Sequence, residues 1–253
     1  MSNNYNPYQA PQSDVYDYQE PSELTLLDIP QSLSIGSGLS WIGGAWQIFM
    51  ARPLLWIGLG FIVMALMMTV GAIPLLGNIL FIMLMVGIGY MAYLTDNEQA
   101  MEIGDLFIAF QERAGNLVWL FFAQLLFLFI LFIPTMLILF LVIGGADGNK
   151  STDNPIIMLI YLLIGSIYLC VYGAVIWFSH FLVFFHELPP FKAITYSIKM
   201  AFKNLLPMTL YGIVIGILWL LGLLTFGLGI FVVFPLTMIS SYVAYKQIAT
   251  DSN

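Results

Sequence analysis

WIGGAWQIFMARPLLWIGLGF (residues 41–61), GDLFIAFQERAGNLVWLFFAQ (104–124) and FKAITYSIKMAFKNLLPMTLYGI (191–213) are three copies of one kind of unit. Each is an amphipathic stretch with an aromatic anchor and a basic residue, and each runs directly into a long apolar hairpin. With Phe49, Phe110 and Phe202 aligned, Trp56, Trp119 and Tyr211 fall within two positions of one another. A unit of this kind lies on a membrane and then crosses it twice. The expected fold class is therefore an all-α membrane protein with six transmembrane helices in three hairpins, each preceded by a short amphipathic interfacial helix.

Composition agrees with that class. Hydrophobic residues make up 60% of the chain and charged residues 8%, against roughly 25% charged in soluble domains, so lipid is the solvent for most of the chain. Five of the fourteen acids behind the net charge of -7 fall in the first thirty residues, which makes that charge mainly a property of the tail. Seven scattered Lys and Arg cannot form the phosphate-neutralising surface that nucleic acid requires. The lone Cys170 excludes an intrachain disulfide and reads as a small packing residue.

Three regions follow. Residues 1–37 are rich in Asn, Gln, Ser, Pro and Tyr and contain no Lys or Arg. They bury too little apolar surface to offset their ordering entropy and are expected to be a disordered, acidic, cytoplasmic tail. No basic start or continuous apolar region marks a signal peptide there. Residues 38–248 form the membrane domain, and 249–253 a cytoplasmic end.

Six windows reach the roughly 20 apolar residues that a span needs, at about 53–73, 76–95, 117–143, 156–180, 205–224 and 227–246. Arg52, Arg113, Lys192, Lys199, Lys203 and Lys246 fall on the side shared by both termini, and only Lys150 falls opposite. The excess of cations makes the terminal side cytoplasmic. Trp41, Trp46, Trp56, Trp119, Tyr93, Tyr242 and Tyr245 sit near the window edges, where amphipathic rings favour the headgroup layer. Pro134 and Pro235 lie within spans and mark candidate kinks.

Two sets of candidate functional residues emerge. Trp46, Phe49, Arg52, Phe110, Arg113, Phe202 and Lys203 are the candidate interfacial anchors, since an apolar stripe ending in a cation suits an anionic leaflet. The same stripe serves equally to brace the bundle. His180, His186 and Glu187, in WFSHFLVFFHELPP (177–190), are the candidate polar site, because ionisable groups near a span are costly and usually functional. An HExxH zinc motif fails there, since the second His would stand at Pro190. The structural reading gives His180 an interhelical hydrogen bond and has His186 and Glu187 end the helix. No catalytic residue, metal ligand or cofactor is indicated.

The stretch from Phe184 to Ile248, with its H-x-L-P-P turn (His186 to Pro190), Ser197, Asn204, Pro207, Gly229, Pro235 and Ala244-Tyr245, resembles the C-terminal half of a family of six-span bacterial inner-membrane proteins known only by a locus tag. GDLFIAF-x-ER (Gly104 to Arg113) resembles the centre of that family. The family is similar in pattern to the membrane domains fused to some glycerophosphodiester phosphodiesterases, although no catalytic domain is present here. The resemblance implies fold and an inner-membrane location. Two functions then stand: a non-enzymatic scaffold or accessory protein in envelope and lipid homeostasis, partnered by the bilayer or by another membrane protein, and a permease for an apolar or zwitterionic small molecule or lipid.

The topology is directly testable. Reporter fusions at Asn253 and after Asn97 are expected to read cytoplasmic, and one within residues 144–154 periplasmic. A cytoplasmic signal from that loop would overturn the six-span arrangement.

Overall fold

Backbone amides in hydrocarbon have no partners but one another, so apolar runs of Leu, Ile, Met and Phe fold as helices. In this computed structural model, which describes residues 24–144 and 155–251, the elements are α1 (Ser37–Ala51), α2 (Pro53–Thr69), α3 (Leu76–Asp96), a 3-10 turn (Ile103–Phe107), α4 (Ile108–Glu112), α5 (Ala114–Gly144), α6 (Pro155–Ile176), α7 (Ser179–His186), α8 (Pro190–Lys203), α9 (Leu205–Leu224) and α10 (Ile230–Ala249). Among the described residues no strand forms. Four helical stretches there are long and apolar enough to cross a membrane: α3, Ala114–Ile138 of α5, Met158–His186 across α6 and α7, and α9. Taking α1 and α2 together, bent by 102°, adds a fifth. These are the helices of a membrane protein. The candidate kinks stay within continuous helix, Pro134 inside α5 and Pro235 inside α10.

Three backbone breaks organise the bundle. Arg52 (φ -147°, ψ 63°), Arg113 (φ -131°, ψ 20°) and Asn204 (φ -118°, ψ 30°) each leave the helical conformation between a short helix and a long one. Pro53 explains the first, since the residue before a proline avoids helical backbone. Each break residue then ties down a linker. Arg52 donates to the Met101 carbonyl at 3.3 Å, Arg113 forms an ion pair with Glu187, and Asn204 donates to the Gln31 carbonyl and accepts from the Leu33 amide, both at 2.8 Å.

The packing follows the same ring. α1 lies against α10, the 3-10 turn and α4 lie against α3, and α8 lies against α6 and α7. The largest fully buried side chains gather where these short helices meet the ends of the long ones, among them Trp41, Trp56, Leu106, Leu117, Phe181, Tyr211 and Tyr245. This is the base of the bundle. The parts of the long helices away from the base are exposed, as at Phe129, Ile133, Leu159, Leu163, Leu220 and Leu224, which in a membrane is exposure to lipid. Within its most apolar stretch α3 is 56% buried, whereas the Met158–His186 span is 11% buried. Thus α3 is central and α6 peripheral.

Several expectations are corrected. Trp41, Trp56, Tyr242 and Tyr245 are buried against protein at the base, so their rings pack the bundle and are not free to face a headgroup layer. Cys170 is exposed. The tail does not extend to residue 37 as free chain. Leu26 pairs with Thr250 in an antiparallel bridge, Leu27 donates to the Ala249 carbonyl at 2.9 Å, and Gln31 donates to Ile248 at 2.8 Å. Tyr196 donates to the Leu27 carbonyl at 2.6 Å, and burial together with the Asp28 carboxylate pushes its phenol up to about 12. Lys203 donates to the Pro30 carbonyl at 3.1 Å. Hydrogen bonds, which apolar content does not register, hold this strap. The expectation for the earlier part of the tail, and that for the loop at 145–154, lie outside the described residues.

The strap is therefore structural. Removing residues 1–34 is expected to lower the melting temperature in detergent, and Asn204→Ala alone is expected to cost about 1–3 kcal/mol by leaving buried backbone groups unpaired. Unchanged melting in both variants would show that the strap contributes nothing.

Candidate functional site

The site lies at the break between α6 and α7. Trp177 and Phe178 interrupt the helix, and Ser197 of α8 inserts its fully buried hydroxyl there. That hydroxyl accepts from the Phe178 amide at 3.3 Å and donates to the Ala174 carbonyl at 2.7 Å. The break is thus satisfied on its α8 side. On the other side, Gln124 of α5 donates to the Ser179 hydroxyl at 2.9 Å.

His180 is 5% exposed. Its Nδ1 lies 3.2 Å from the Ile176 carbonyl; since a carbonyl only accepts, Nδ1 carries the proton and Nε2 is a bare acceptor. Among the described residues two buried side-chain nitrogens lack any partner, His180 Nε2 and Trp177 Nε1. One is an acceptor and the other a donor, and both side chains line the same cavity. It measures about 370 Å³ and lies between α3, α5, the α6–α7 break and α10. Asn78, Gln124, Tyr172 and Ser241 add polar groups to a wall otherwise made of Leu, Ile, Met and Phe. No Asp, Glu, Lys or Arg lines it.

The chamber presents neither a nucleophile paired with a base nor two carboxylates, and among the described residues no three His, Cys, Asp or Glu are placed to hold a metal ion. A buried polar atom without a partner calls for an explanation; these two belong to side chains that border the chamber, although the nitrogens themselves have almost no accessible surface.

The structure separates the sequence-based candidates. His180 lines the cavity and bonds back across the α6–α7 break to the end of α6, four residues earlier in the chain, and not to a distant helix. His186 instead bonds Tyr245, and Glu187 caps α7 in the left-handed region (φ 54°) while pairing with Arg113. The three therefore do not form one site. Among the anchors, Phe49 is buried at 3% exposure beneath Trp46, whose ring stacks on it at 5.6 Å, so it packs the bundle and does not reach lipid. Trp46, Phe110 and Phe202 remain exposed. The cations Arg52, Arg113 and Lys203 are held in the ring and strap contacts described above. Gln124, Trp177, Ser179 and Ser241 escaped the sequence reading. Gln124 carried a signal, as a lone amide in an apolar run; the others acquire meaning only from where the helices bring them.

Compared with known proteins, the chain matches no family model, no curated protein and no solved structure.

If Nε2 serves a ligand and not the fold, His180→Leu is expected to keep or raise the melting temperature. It removes an unpaired acceptor whose burial costs about 1–3 kcal/mol. A marked drop in melting temperature would assign the ring a structural role.

Proposed function

We propose that this chain is a non-enzymatic, six-span protein of the bacterial inner membrane that receives a lipid-like amphiphile between its helices, in the service of envelope lipid homeostasis. The observation that carries the reading is the pair of unpartnered nitrogens in a largely apolar cavity.

Six crossings draw support from where the hairpin ends lie. Arg52 opens α2 and touches Met101, just beyond the end of α3. Asn204 opens α9 and touches the strap that also pairs with the end of α10. Each of these hairpins therefore returns to the base it left, and the 20 residues of α10 reach about 30 Å. Leu26 and Leu27, ahead of α1, pair with Thr250 and Ala249 at the end of α10, which puts both segments on one side, consistent with an even number of crossings. The basic side chains Arg52, Arg113, Lys192, Lys199, Lys203 and Lys246 at this base favour a cytoplasmic orientation for it. The three sequence units correspond to the three steps of the ring.

The ligand is read from the cavity. Trp177 Nε1–H donates to an anionic oxygen, and His180 Nε2 accepts from a protonated amine. With no charged wall residue the favoured headgroup is neutral overall, which describes a phosphate carrying a primary ammonium. A quaternary ammonium has no proton to give His180, and a headgroup without an amine leaves Nε2 unpaired. The scaffold alternative keeps the exposed Trp46, Ile103, Phe110 and Phe202 of the three stripes, while Phe49, Leu106 and Ile194 are spent on the bundle.

Native mass spectrometry of the purified protein with phosphatidylethanolamine, phosphatidylcholine and phosphatidylglycerol tests this. Ethanolamine lipid is expected to be retained best, and His180→Leu to weaken its retention by about tenfold or more, as loss of a charge-assisted hydrogen bond implies. Equal retention of all three lipids by wild type and variant would overturn the reading.

A further inference from the structure

The cations of the described residues are not used alike. Arg52 and Lys203 donate to the Met101 and Pro30 carbonyls, and Arg113 and Lys246 form ion pairs with Glu187 and Asp96. Lys192 and Lys199 remain. Both are exposed on α8, and neither ammonium meets a hydrogen-bonding or ion-pairing partner among the described residues. α8 also sorts its side chains by direction. Ala193, Ile194, Ser197, Met200 and Ala201 are buried against the bundle. On the exposed side, at about 100° per residue, Lys192, Lys199 and Lys203 fall within about 40° of one another, and Phe191 and Phe202 lie about a quarter-turn round from them. The helix therefore has a packed, a cationic and an aromatic edge. Cations beside exposed rings suit a helix that lies where phosphates meet hydrocarbon. In α1, by contrast, Leu39, Trp46 and Met50 are exposed without a free cation beside them.

The aromatic edge leads into a groove. The first span of one unit packs on the last helix of the unit before it where α2 meets α10 and where α5 meets α3, but the equivalent seam of α9 on α6 packs far less extensively among the described residues. A largely apolar groove of about 290 Å³ occupies that seam. Leu169, Cys170, Phe202, Leu205 and Thr209 line it and are themselves exposed, so it is open along that side. It runs away from α8 along the two long helices: Cys170 lies about 9 Å back from the end of α6, and Thr209 about 6 Å into α9. Lys199 precedes Phe202 by three residues, which makes the two neighbours on the helix surface. A free cation thus stands at the α8 end of an open apolar groove.

We infer that α8 and the α6–α9 groove hold an anionic phospholipid of the cytoplasmic leaflet, its phosphate at Lys199 with Lys192 as a second cation, and one acyl chain in the groove past Phe202. Charge complementarity selects the headgroup. Two ammonium groups with nothing opposite them attract a lipid of net negative charge, whereas a zwitterionic headgroup brings its own cation and gains little from either lysine. The groove selects a lipid over a free anion, because an acyl chain covers apolar surface that a small anion leaves bare. The inference rests on the cytoplasmic, membrane-spanning placement of the base proposed above, and it is independent of the cavity beside His180.

The test is photolabelling of the full-length protein in phosphatidylcholine vesicles that carry, at equal mole fraction, either phosphatidylglycerol or phosphatidylcholine with a diazirine on one acyl chain, the labelled residues being mapped by peptide mass spectrometry. Phosphatidylglycerol is expected to label residues 169–174 and 202–209 many times more than phosphatidylcholine does. Lys192→Gln and Lys199→Gln, both at exposed positions, are expected to melt as wild type does and to lower that preference on the order of fivefold each. High salt is expected to lower it as well. His180→Leu is expected to leave it unchanged, so failure of this site and failure of the cavity reading are told apart. Equal labelling of these residues by the two lipids overturns the site, as does a preference that survives the double lysine variant. A preference that appears only when Asp14, Asp17, Glu20 and Glu23 are replaced by their amides assigns the lysines to the acidic tail, and it overturns the lipid as their occupant in the whole chain.

Discussion

A short helix that crosses the base of a bundle and then turns into a span has to leave helical backbone at some residue, and in apolar surroundings the groups released there need partners. At Arg52, Arg113 and Asn204 the side chain of the break residue itself reaches the linker of a neighbouring unit. The bend that starts a hairpin thus also fixes it to the next. The first two ties are made to linkers between units, at Met101 and Glu187. The third is made to residues 31–33, ahead of α1, which makes the strap the linker that closes the ring. Ser197 repeats the principle at the α6–α7 break, where one hydroxyl serves both an amide and a carbonyl.

Much of this was legible in the sequence because hydrocarbon imposes a coarse rule. Long uncharged runs must be helices, and the periodic stretches before Pro53, Ala114 and Leu205 mark where short helices give way to long ones. The direction of each stripe was not legible. Phe49 and Trp46 are both large and aromatic, yet one is sealed inside and the other stacks over it at the surface. Which of them faces outward is decided by α9 and α10, more than 150 residues further on. The strap was misread for a different reason. Its grip comes from the backbone of Leu27, Gln31 and Leu33 and the side chains of Tyr196, Lys203 and Asn204, and composition is blind to backbone bonding. The site was half visible: His180 stood out as a polar residue in a span, whereas Asn78, Gln124 and Ser241 are single polar residues on separate helices that gain meaning only by convergence.

The character of that convergence limits what can occupy it. An ion or a charged solute would need compensating side chains, and the walls have none. A water-soluble solute would need a mostly polar lining, whereas the chamber wall is largely Leu, Ile, Met and Phe. An amphiphile meets both conditions, since its chains match the flank and its headgroup matches the unpaired nitrogens.

The glycines fall into two kinds, those that bring helices together and those that face open space, the latter including Gly165, Gly173, Gly212 and Gly216. Close approach between helices in lipid is driven by van der Waals contact, and small residues serve it. Gly38 and Gly87 are of that kind: a Cβ at either would collide with backbone, that of Pro207 or that of Leu106, and at Gly89 it would strike the Phe181 ring. Gly173 is of the other kind, because the missing side chain there brings nothing closer. It lies one turn before Trp177, whose indole N–H has no partner, in the α6–α9 seam, which among the described residues packs less extensively than the other two. A bundle held together only for its own stability gains contact by filling that space, and by exchanging His180 for an apolar residue it gives up only the Nδ1 bond to Ile176. The structure instead keeps room and two unmet hydrogen bonds at the same depth, a combination that costs stability in the empty protein and that a bound headgroup would offset.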